Sequence, residues 1–143
     1  MNLNKKIKTA TKNDIYEHLV SCNDNFIPPL NKTINILEYS EKLHSKSTTF
    51  EIWDNELLAG LIACYFNQKT GFITNVSTLL NYNGKGIASS LLSNCIDYSR
   101  KNGVTVIKLE VNRLNTLAIR IYNKFGFTIF DEQDESFIMK LEL

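Results

Sequence analysis

The chain reads as a mixed α/β (α+β) fold, a mainly antiparallel, twisted sheet of about six to seven strands flanked by about four helices. Two observations predict it. Over residues 48–79 three β-favouring runs follow one another with short polar turns between them, the pattern of an antiparallel meander. After Gly84-Lys85-Gly86 the apolar residues recur at helical spacing, and after Asn102-Gly103 they alternate again, so a strand, a helix and a strand form a crossover unit.

The elements follow in order. An opening strand is expected at about residues 5–9, then a helix from Asn13 or Asp14, an Asx-type cap, through His18 to Ser21. The segment 23–30, NDNFIPPL, mixes turn formers with apolar residues, and Pro28 turns Ile27 away from helix; this loop is a candidate to touch a substrate. Ile34, Leu37, Tyr39 and Leu43, with Glu38, Glu41 and Lys42 between them, predict a second short amphipathic helix ending near Ser45. Strands at 48–53 and 57–66 flank the turn Asp54-Asn55-Glu56, and a third covers 72–79.

Ile87, Leu91, Leu92, Cys95 and Ile96 then make one face of a helix that runs to Lys101 and is closed by Asn102-Gly103. Val104, Val106, Leu109 and Val111 alternate as the next strand. Leu114, Leu117, Ala118, Ile121 and Tyr122 form a last helical stripe that stops at Gly126, and residues 127–130 and 136–141 read as two closing strands. The predicted order is β-α-α-β-β-β-α-β-α-β-β.

Composition narrows the function classes. A chain of 143 residues can bury one core but not two ordinary ones, so 1–143 is expected to be a single domain. Its 43% hydrophobic and 22% charged residues exclude a disordered chain and a disulfide scaffold. Sixteen basic residues against fifteen acidic ones leave a net charge of +1, which supplies no footprint for nucleic acid or an anionic membrane surface. The N-terminus lacks an apolar signal-type core and no apolar run is long enough to span a bilayer, so a cytoplasmic location is expected.

Cys22, Cys64 and Cys95 are widely spaced with no C-x-x-C pair, which suggests neither a disulfide framework nor a metal site. Cys64 and Cys95 sit in apolar patterns and are expected to be buried rather than nucleophilic. His18 and His44 have no metal-ligand spacing and read as ordinary histidines. No metal is expected.

The most specific feature is a strand that runs into Leu80-Asn81-Tyr82-Asn83-Gly84-Lys85-Gly86-Ile87-Ala88 and then a helix. Glycines let backbone amides approach a ligand, and amides converging with a free helix N-terminus favour an anion such as phosphate, to which Lys85 would add charge. A glycine turn chosen only for tight strand-to-helix geometry is the alternative. The spacing is not that of a P-loop, because Lys85 is followed by Gly86, nor of a dinucleotide fingerprint, because position 89 is serine.

Asn81-Tyr82-Asn83-Gly84-Lys85-Gly86 resembles the Q/R-x-x-G-x-G/A pantetheine-binding motif of the GNAT acyltransferases, and residues 115–127, NTLAIRIYNKFGF, resemble the family's N-x-x-A-x-x-[LI]-Y-x-x-x-G-F signature. The likeness covers the element order of the whole chain and is specific from about Ile73 onward. Asn81 stands where the family has Gln or Arg, and Asn83 where arginine is common, which weakens two side-chain donors but not the backbone amides that hold a pyrophosphate.

The resemblance implies acetyl-CoA as co-substrate, bound by Val76, Thr78, Asn83, Gly84, Lys85, Gly86, Ile87, Ala88, Ser89 and Asn115. It implies that the backbone of Val76 and Thr78 pairs with the pantetheine arm, that the strand at 76–78 parts from the strand at 109–111 to admit the thioester, and that a backbone N–H near Val76 or Thr78 stabilises the oxyanion. Tyr122 matches the general acid that protonates the departing thiolate, with core packing as its structural alternative; Asn115 is either a cap or a pantetheine contact, or both. Glu110 is the candidate base, weighed against a solvated strand glutamate.

Phe26, Pro28, Pro29, Tyr39 and Trp53 are candidates for an acceptor pocket, and Asn75, a polar residue in an apolar strand, for orienting the acceptor. The expected activity is direct acetyl transfer to a primary amine of a small molecule, an amine or amino sugar. A protein N-terminal or lysine acetyltransferase and a non-catalytic acyl-CoA-binding module are the alternatives. A monomer or a homodimer fits the pattern equally.

Overall fold

A computed structural model describes residues 1–143. The order predicted from the pattern is the order observed: β1 (Leu3–Ile7), α1 (Lys12–Cys22), α2 (Ile36–Lys46), β2 (Thr48–Asp54), β3 (Leu57–Asn67), β4 (Thr70–Thr78), α3 (Ile87–Lys101), β5 (Val106–Asn112), α4 (Thr116–Lys124), β6 (Thr128–Glu132) and β7 (Ser136–Glu142). Single 3-10 turns stand at Asn23–Asn25, Leu30–Lys32 and Leu80–Tyr82. No helix is long and apolar enough to cross a membrane.

All seven strands join one sheet in the order β1-β2-β3-β4-β5-β7-β6. Every neighbouring pair is antiparallel except β4 and β5, which the α3 crossover makes parallel. The helices cover both faces, so the sheet carries two cores. On one face α3 and α4 pack Ile87, Leu91, Leu92, Cys95, Ile96 and Tyr122 against Phe50, Ile62, Leu109 and Met139. On the other, Ile15 and Leu19 of α1 and Leu43 of α2 meet Trp53, Leu58, Leu61 and Ala63. Each such fully buried Leu or Ile contributes about 1.5–3 kcal/mol relative to leaving it exposed.

Some local boundaries move, each for an identifiable reason. The first strand lies two residues earlier than expected, and α1 is capped by Thr11 rather than by an Asx residue: Thr11 Oγ1 accepts from the Asp14 amide at 3.0 Å while Asp14 returns a bond to the Thr11 N–H at 2.8 Å. The second helix starts at Ile36 because Asn35 caps it, accepting from the Glu38 amide at 3.0 Å. In β5 the core-facing set is Ile107, Leu109 and Val111, so Val106 points to the opposite face from the one assigned by the pattern. Leu114 and Leu117 are exposed, because the start of α4 overhangs a cleft instead of packing on the sheet.

Two chemical details fix the frame around that cleft. Gly60 of β3 lies under the first turn of α3, where a Cβ would stand 2.4 Å from Ile87 Cγ2, so only glycine lets the helix seat this close. The carboxylate of Glu51 on β2 is buried without a cation and accepts five hydrogen bonds, from the amides of Thr9 and Ala10, the hydroxyls of Thr9 and Thr49, and Trp53 Nε1, at 2.5–3.0 Å. It clamps the chain between β1 and α1.

Candidate active site

The cleft arises where β4 leaves β5. Their pairing runs only from Thr70 opposite Val106 to Ile73 opposite Leu109, and then the strands diverge. The cause is a bulge on β4: Ala63 of β3 faces Asn75 while Cys64 faces Ile73, which leaves Thr74 as the extra residue and bends the strand. Tyr39 of α2 takes up the backbone freed there, its hydroxyl donating to the Thr74 carbonyl at 3.0 Å and lying 2.8 Å from Thr74 Oγ1. Burial pushes the Tyr39 phenol up to about 12, against the opposing pull of hydrogen bonds from Thr74 and Asn75.

Beyond the bulge the backbone direction of each residue follows from one bond. The Leu79 amide donates to the Ala59 carbonyl of β3 at 2.9 Å. N–H and C=O groups alternate sides along a strand, so Leu79, Ser77 and Asn75 direct theirs to β3, and Val76 and Thr78 direct theirs into the gap that β5 has left. Those two residues form a free strand edge inside the molecule.

The resulting cleft, about 510 Å³, runs through the sheet. On the α3 side it is walled by Val76, Thr78, Asn83, Gly84, Gly86, Ile87, Ala88, Ser89 and Asn115, and on the α1 side by Asn25, Phe26, Ile27, Asn75 and Ser77, with Glu110 and Tyr122 also on its wall. Gly84 and Gly86 have φ of +76° and +75° and no heavy atom within 4 Å of a would-be Cβ, so it is the backbone conformation, not crowding, that requires glycine. Gly86 caps α3 without any side-chain hydrogen bond, and the first intrahelical bond is from Ser90 to Gly86, so the amides of Ile87, Ala88 and Ser89 remain free at the cleft. A cradle of this kind fits a pyrophosphate.

The turn before it is tethered. Tyr82 donates to Asp54 at 2.5 Å, which ties the Leu80–Tyr82 turn to the β2–β3 hairpin and raises the Tyr82 phenol while lowering the Asp54 carboxyl. Lys85 is exposed and does not wall the cleft. Asn115 caps α4, its side-chain oxygen accepting from the Ala118 amide at 3.3 Å, and also borders the cleft.

Tyr122 is buried in the core with its ring 5.8 Å from Phe127, yet it borders the cleft. Burial alone pushes its phenol up to about 12, which keeps the proton on the hydroxyl at neutral pH. Glu110 lies on the exposed face of β5, where its carboxylate accepts from Ser136 Oγ at 2.5 Å.

On the acceptor side the structure brings only part of the expected set to the cleft. Phe26 borders the cleft together with Asn25 and Ile27, but Pro28 and Pro29 do not: the chain has already turned away toward the Leu30–Lys32 turn. Trp53 packs against α1 and gives its N–H to Glu51, so it is a core residue. Tyr39 acts on the bulge.

Sequence reasoning also missed a buried polar chain beneath Asn75. His18, 3% exposed, has Nδ1 2.8 Å from the Leu58 carbonyl and Nε2 2.9 Å from Ser77 Oγ; Ser77 Oγ in turn lies 2.8 Å from Oδ1 of Asn75. Burial lowers the imidazole to about 4, so it is neutral at ordinary pH. Cys22, one helical turn after His18, has its sulfur 3.6 Å from Nε2, and burial pushes its thiol up to about 11. The signals were available: His18 and Cys22 are four apart on a helix, and Asn75 and Ser77 two apart on a strand, so each pair shares a face. Cys64 and Cys95 are both fully buried in the α3 core.

A meander splayed by a bulge, a parallel crossover and an uncapped helix at the mouth of the gap define an acetyltransferase-type fold. The model described as the acetyltransferase (GNAT) family matches residues 12–127, and the chain belongs to that family. Among curated relatives it is 25% identical over 92 residues to the uncharacterized N-acetyltransferase YobR of Bacillus subtilis, covering 64% of this chain and 37% of that one. It is 28% identical over 114 residues to N-alpha-acetyltransferase 50 of Danio rerio, covering 71% of this chain and 67% of that one. The chain spans less than half the length of the first curated relatives it matches, 37%, 47% and 30% of them.

Solved structures share the fold over the full chain. A PaiA N-acetyltransferase from Thermoplasma acidophilum, in complex with coenzyme A, superposes with a TM-score of 0.78 at 18% identity, covering 100% of both chains. The ribosomal-protein-S18-alanine N-acetyltransferase of Escherichia coli gives 0.77 at 19% identity over 97% of this chain and 94% of that one.

Proposed function

We propose that this chain transfers an acetyl group from acetyl-CoA to a primary amine of a small molecule by direct attack of the amine on the thioester. The observation that carries the reading is the free edge of Val76 and Thr78 lying between the open amides of α3 and the buried hydroxyl of Tyr122 in one cleft. The α3 amides hold the pyrophosphate, and the backbone of Val76 and Thr78 pairs with the amide groups of the pantetheine arm. The Val76 or Thr78 N–H receives the negative charge that develops on the carbonyl oxygen.

The amine nitrogen forms the new bond to the carbonyl carbon as the C–S bond breaks. Tyr122, protonated at neutral pH, gives its proton to the departing sulfur. The amine's surplus proton leaves through Glu110 or water on the exposed side of the cleft, and the Tyr122 phenolate takes a proton back from solvent before the next turnover. No covalent bond to the protein is required.

The acceptor enters past Phe26 and Ile27, which give the entrance an apolar wall suited to a compact amine. A free protein N-terminus is the second reading, favoured by the 28% identity to N-alpha-acetyltransferase 50. The test is release of CoA thiol from acetyl-CoA with small amines, amino sugars, lysine peptides and peptides with free N-termini, checked by product mass. Acetylated small amines support the proposal; acetylated peptides alone transfer it to the second reading; thiol release with no class of amine, from protein that binds acetyl-CoA, rules out N-acetyl transfer.

A further inference from the structure

The polar chain under the acceptor half of the cleft has only one consistent arrangement of protons. The Leu58 carbonyl can only accept, so the His18 Nδ1 at 2.8 Å carries the imidazole's hydrogen, and in the neutral ring Nε2 is a bare acceptor. Ser77 Oγ lies 2.9 Å from that nitrogen. Two lone pairs do not approach so closely without a proton between them, and that proton has to be the serine's. The Cys22 thiol, a weak donor at 3.6 Å, does not remove this requirement.

Ser77 has then given its only proton and can accept but not donate toward Asn75. The amide atom 2.8 Å from Ser77 Oγ must therefore be the Asn75 NH2 group, which turns the oxygen the other way; nitrogen and oxygen of an amide are told apart by such hydrogen-bond logic, not by shape. Asn75 is only 4% exposed and borders the cleft, so the turned oxygen faces it. The Tyr39 hydroxyl lies on that side too, with the Thr74 carbonyl at 3.0 Å and Thr74 Oγ1 at 2.8 Å as its other partners; an amide oxygen has two lone pairs, so a bond from Tyr39 leaves one for the cleft.

We infer that His18 and Ser77 are positioning residues that lock Asn75 with its amide oxygen presented to the acceptor, making this part of the cleft a subsite for a nitrogen that carries N–H donors. The inference rests on the proposed amine acceptor and gives its chemistry: an ammonium or amine with hydrogens free to donate is taken, and a fully substituted nitrogen of equal charge is not. Asn75 contacts the acceptor, and His18 acts through Ser77. The arrangement also gives a role to the two buried polar residues, Asn75 and Ser77, that β4 carries on the α1 side.

The experiment has two arms. In the first, 15N-labelled protein is examined by long-range 1H–15N correlation of His18 and by cross-relaxation between the Asn75 side-chain NH2 and Ser77. The expected result is an unprotonated Nε2 and an NH2 group close to the Ser77 methylene; an Nε2–H tautomer, or an NH2 directed to the cleft, overturns the inference whatever the protein's activity.

In the second arm, benzylammonium and benzyltrimethylammonium, equal in charge but not in N–H donors, are titrated against the CoA-saturated protein. The wild type should prefer benzylammonium, and Ser77→Ala should cut that preference roughly tenfold, the size of one hydrogen bond to a charged group, with CoA affinity unchanged and a cooperative melt retained. Ser77→Thr, which keeps the hydroxyl, should restore it. A preference that survives Ser77→Ala, or no wild-type binding of benzylammonium, overturns the subsite. Failure of every amine to be acetylated would instead remove the proposed function and leave the first arm standing.

Discussion

The buried carboxylate of Glu51 makes the stability of this fold sensitive to a one-atom change. In Glu51→Gln the shape is kept, but an NH2 group replaces one carboxylate oxygen among five donors. Placed at Oε2, it confronts the amides of Thr9 and Ala10; placed at Oε1, it confronts Trp53 Nε1, while the Thr9 hydroxyl can reverse and accept. The second placement costs less, yet it strands a buried indole N–H and removes the charge from the remaining bonds. One unsatisfied buried donor costs about 1–3 kcal/mol, and weakening the others brings the total to about 2–4 kcal/mol.

A chain of 143 residues has an unfolding entropy of roughly 0.3 kcal/mol/K at its midpoint, so the variant should melt about 7–13 °C below wild type at pH 7. Burial raises the Glu51 carboxyl, but the hydrogen bonds from Thr49, Thr9, Trp53 and Ala10 together outweigh it, and the folded-state pKa lies below the ordinary value. A depressed carboxylate contributes stability that is present above the unfolded-state pKa, about 4.3, and is lost as pH falls through the folded value. The gap between wild type and Glu51→Gln should therefore be widest near neutrality and shrink in acid. Thermal melts by circular dichroism from pH 7 to pH 3 measure it. A variant melting within about 2 °C of wild type at pH 7, or a gap that does not change with pH, would refute the reasoning.

Gly60→Ala places a methyl 2.4 Å from Ile87 Cγ2 and 3.1 Å from Leu91 Cδ1, so it should cost about 1–3 kcal/mol in urea unfolding and weaken CoA binding as the first turn of α3 is pushed out. Tyr122→Phe should lower kcat about 10²–10⁴-fold in the thiol-release assay, with the KM for acetyl-CoA and the melting temperature unchanged, because nothing but burial shifts the hydroxyl it removes. Were Tyr122 only a core residue, its kcat would stay near wild type.

The apolar period placed the inner strands and the helices in order because each buries one stripe, while the exposed edge strands β1 and β6 followed from the turns beside them; the two glycines at 84 and 86 marked the helix mouth because positive φ leaves few other residues possible. The splay between β4 and β5 came from the motif likeness alone; its cause, the bulge at Thr74, was hidden because a one-residue change of register depends on the partner strand and on Tyr39 from α2. Phe26 lines the cleft and Pro28 and Pro29 do not, a distinction hidden in the sequence because a loop's composition does not tell which residues face inward. His18 looked ordinary for the same reason: its partners Leu58 and Ser77 are 40 and 59 residues away, and only the fold brings them together.

The central claim is that the amides at Gly84 to Ser89 and the free edge of β4 form a CoA site, and calorimetric titration with CoA and acetyl-CoA tests it most directly. Wild type should bind both at one site per chain, while Gly84→Val/Gly86→Val, which forbids both positive φ angles without adding a clash, should lose that binding yet retain a cooperative melt. A wild type that binds neither ligand would contradict the account and reduce the glycine turn to a connection between a strand and a helix.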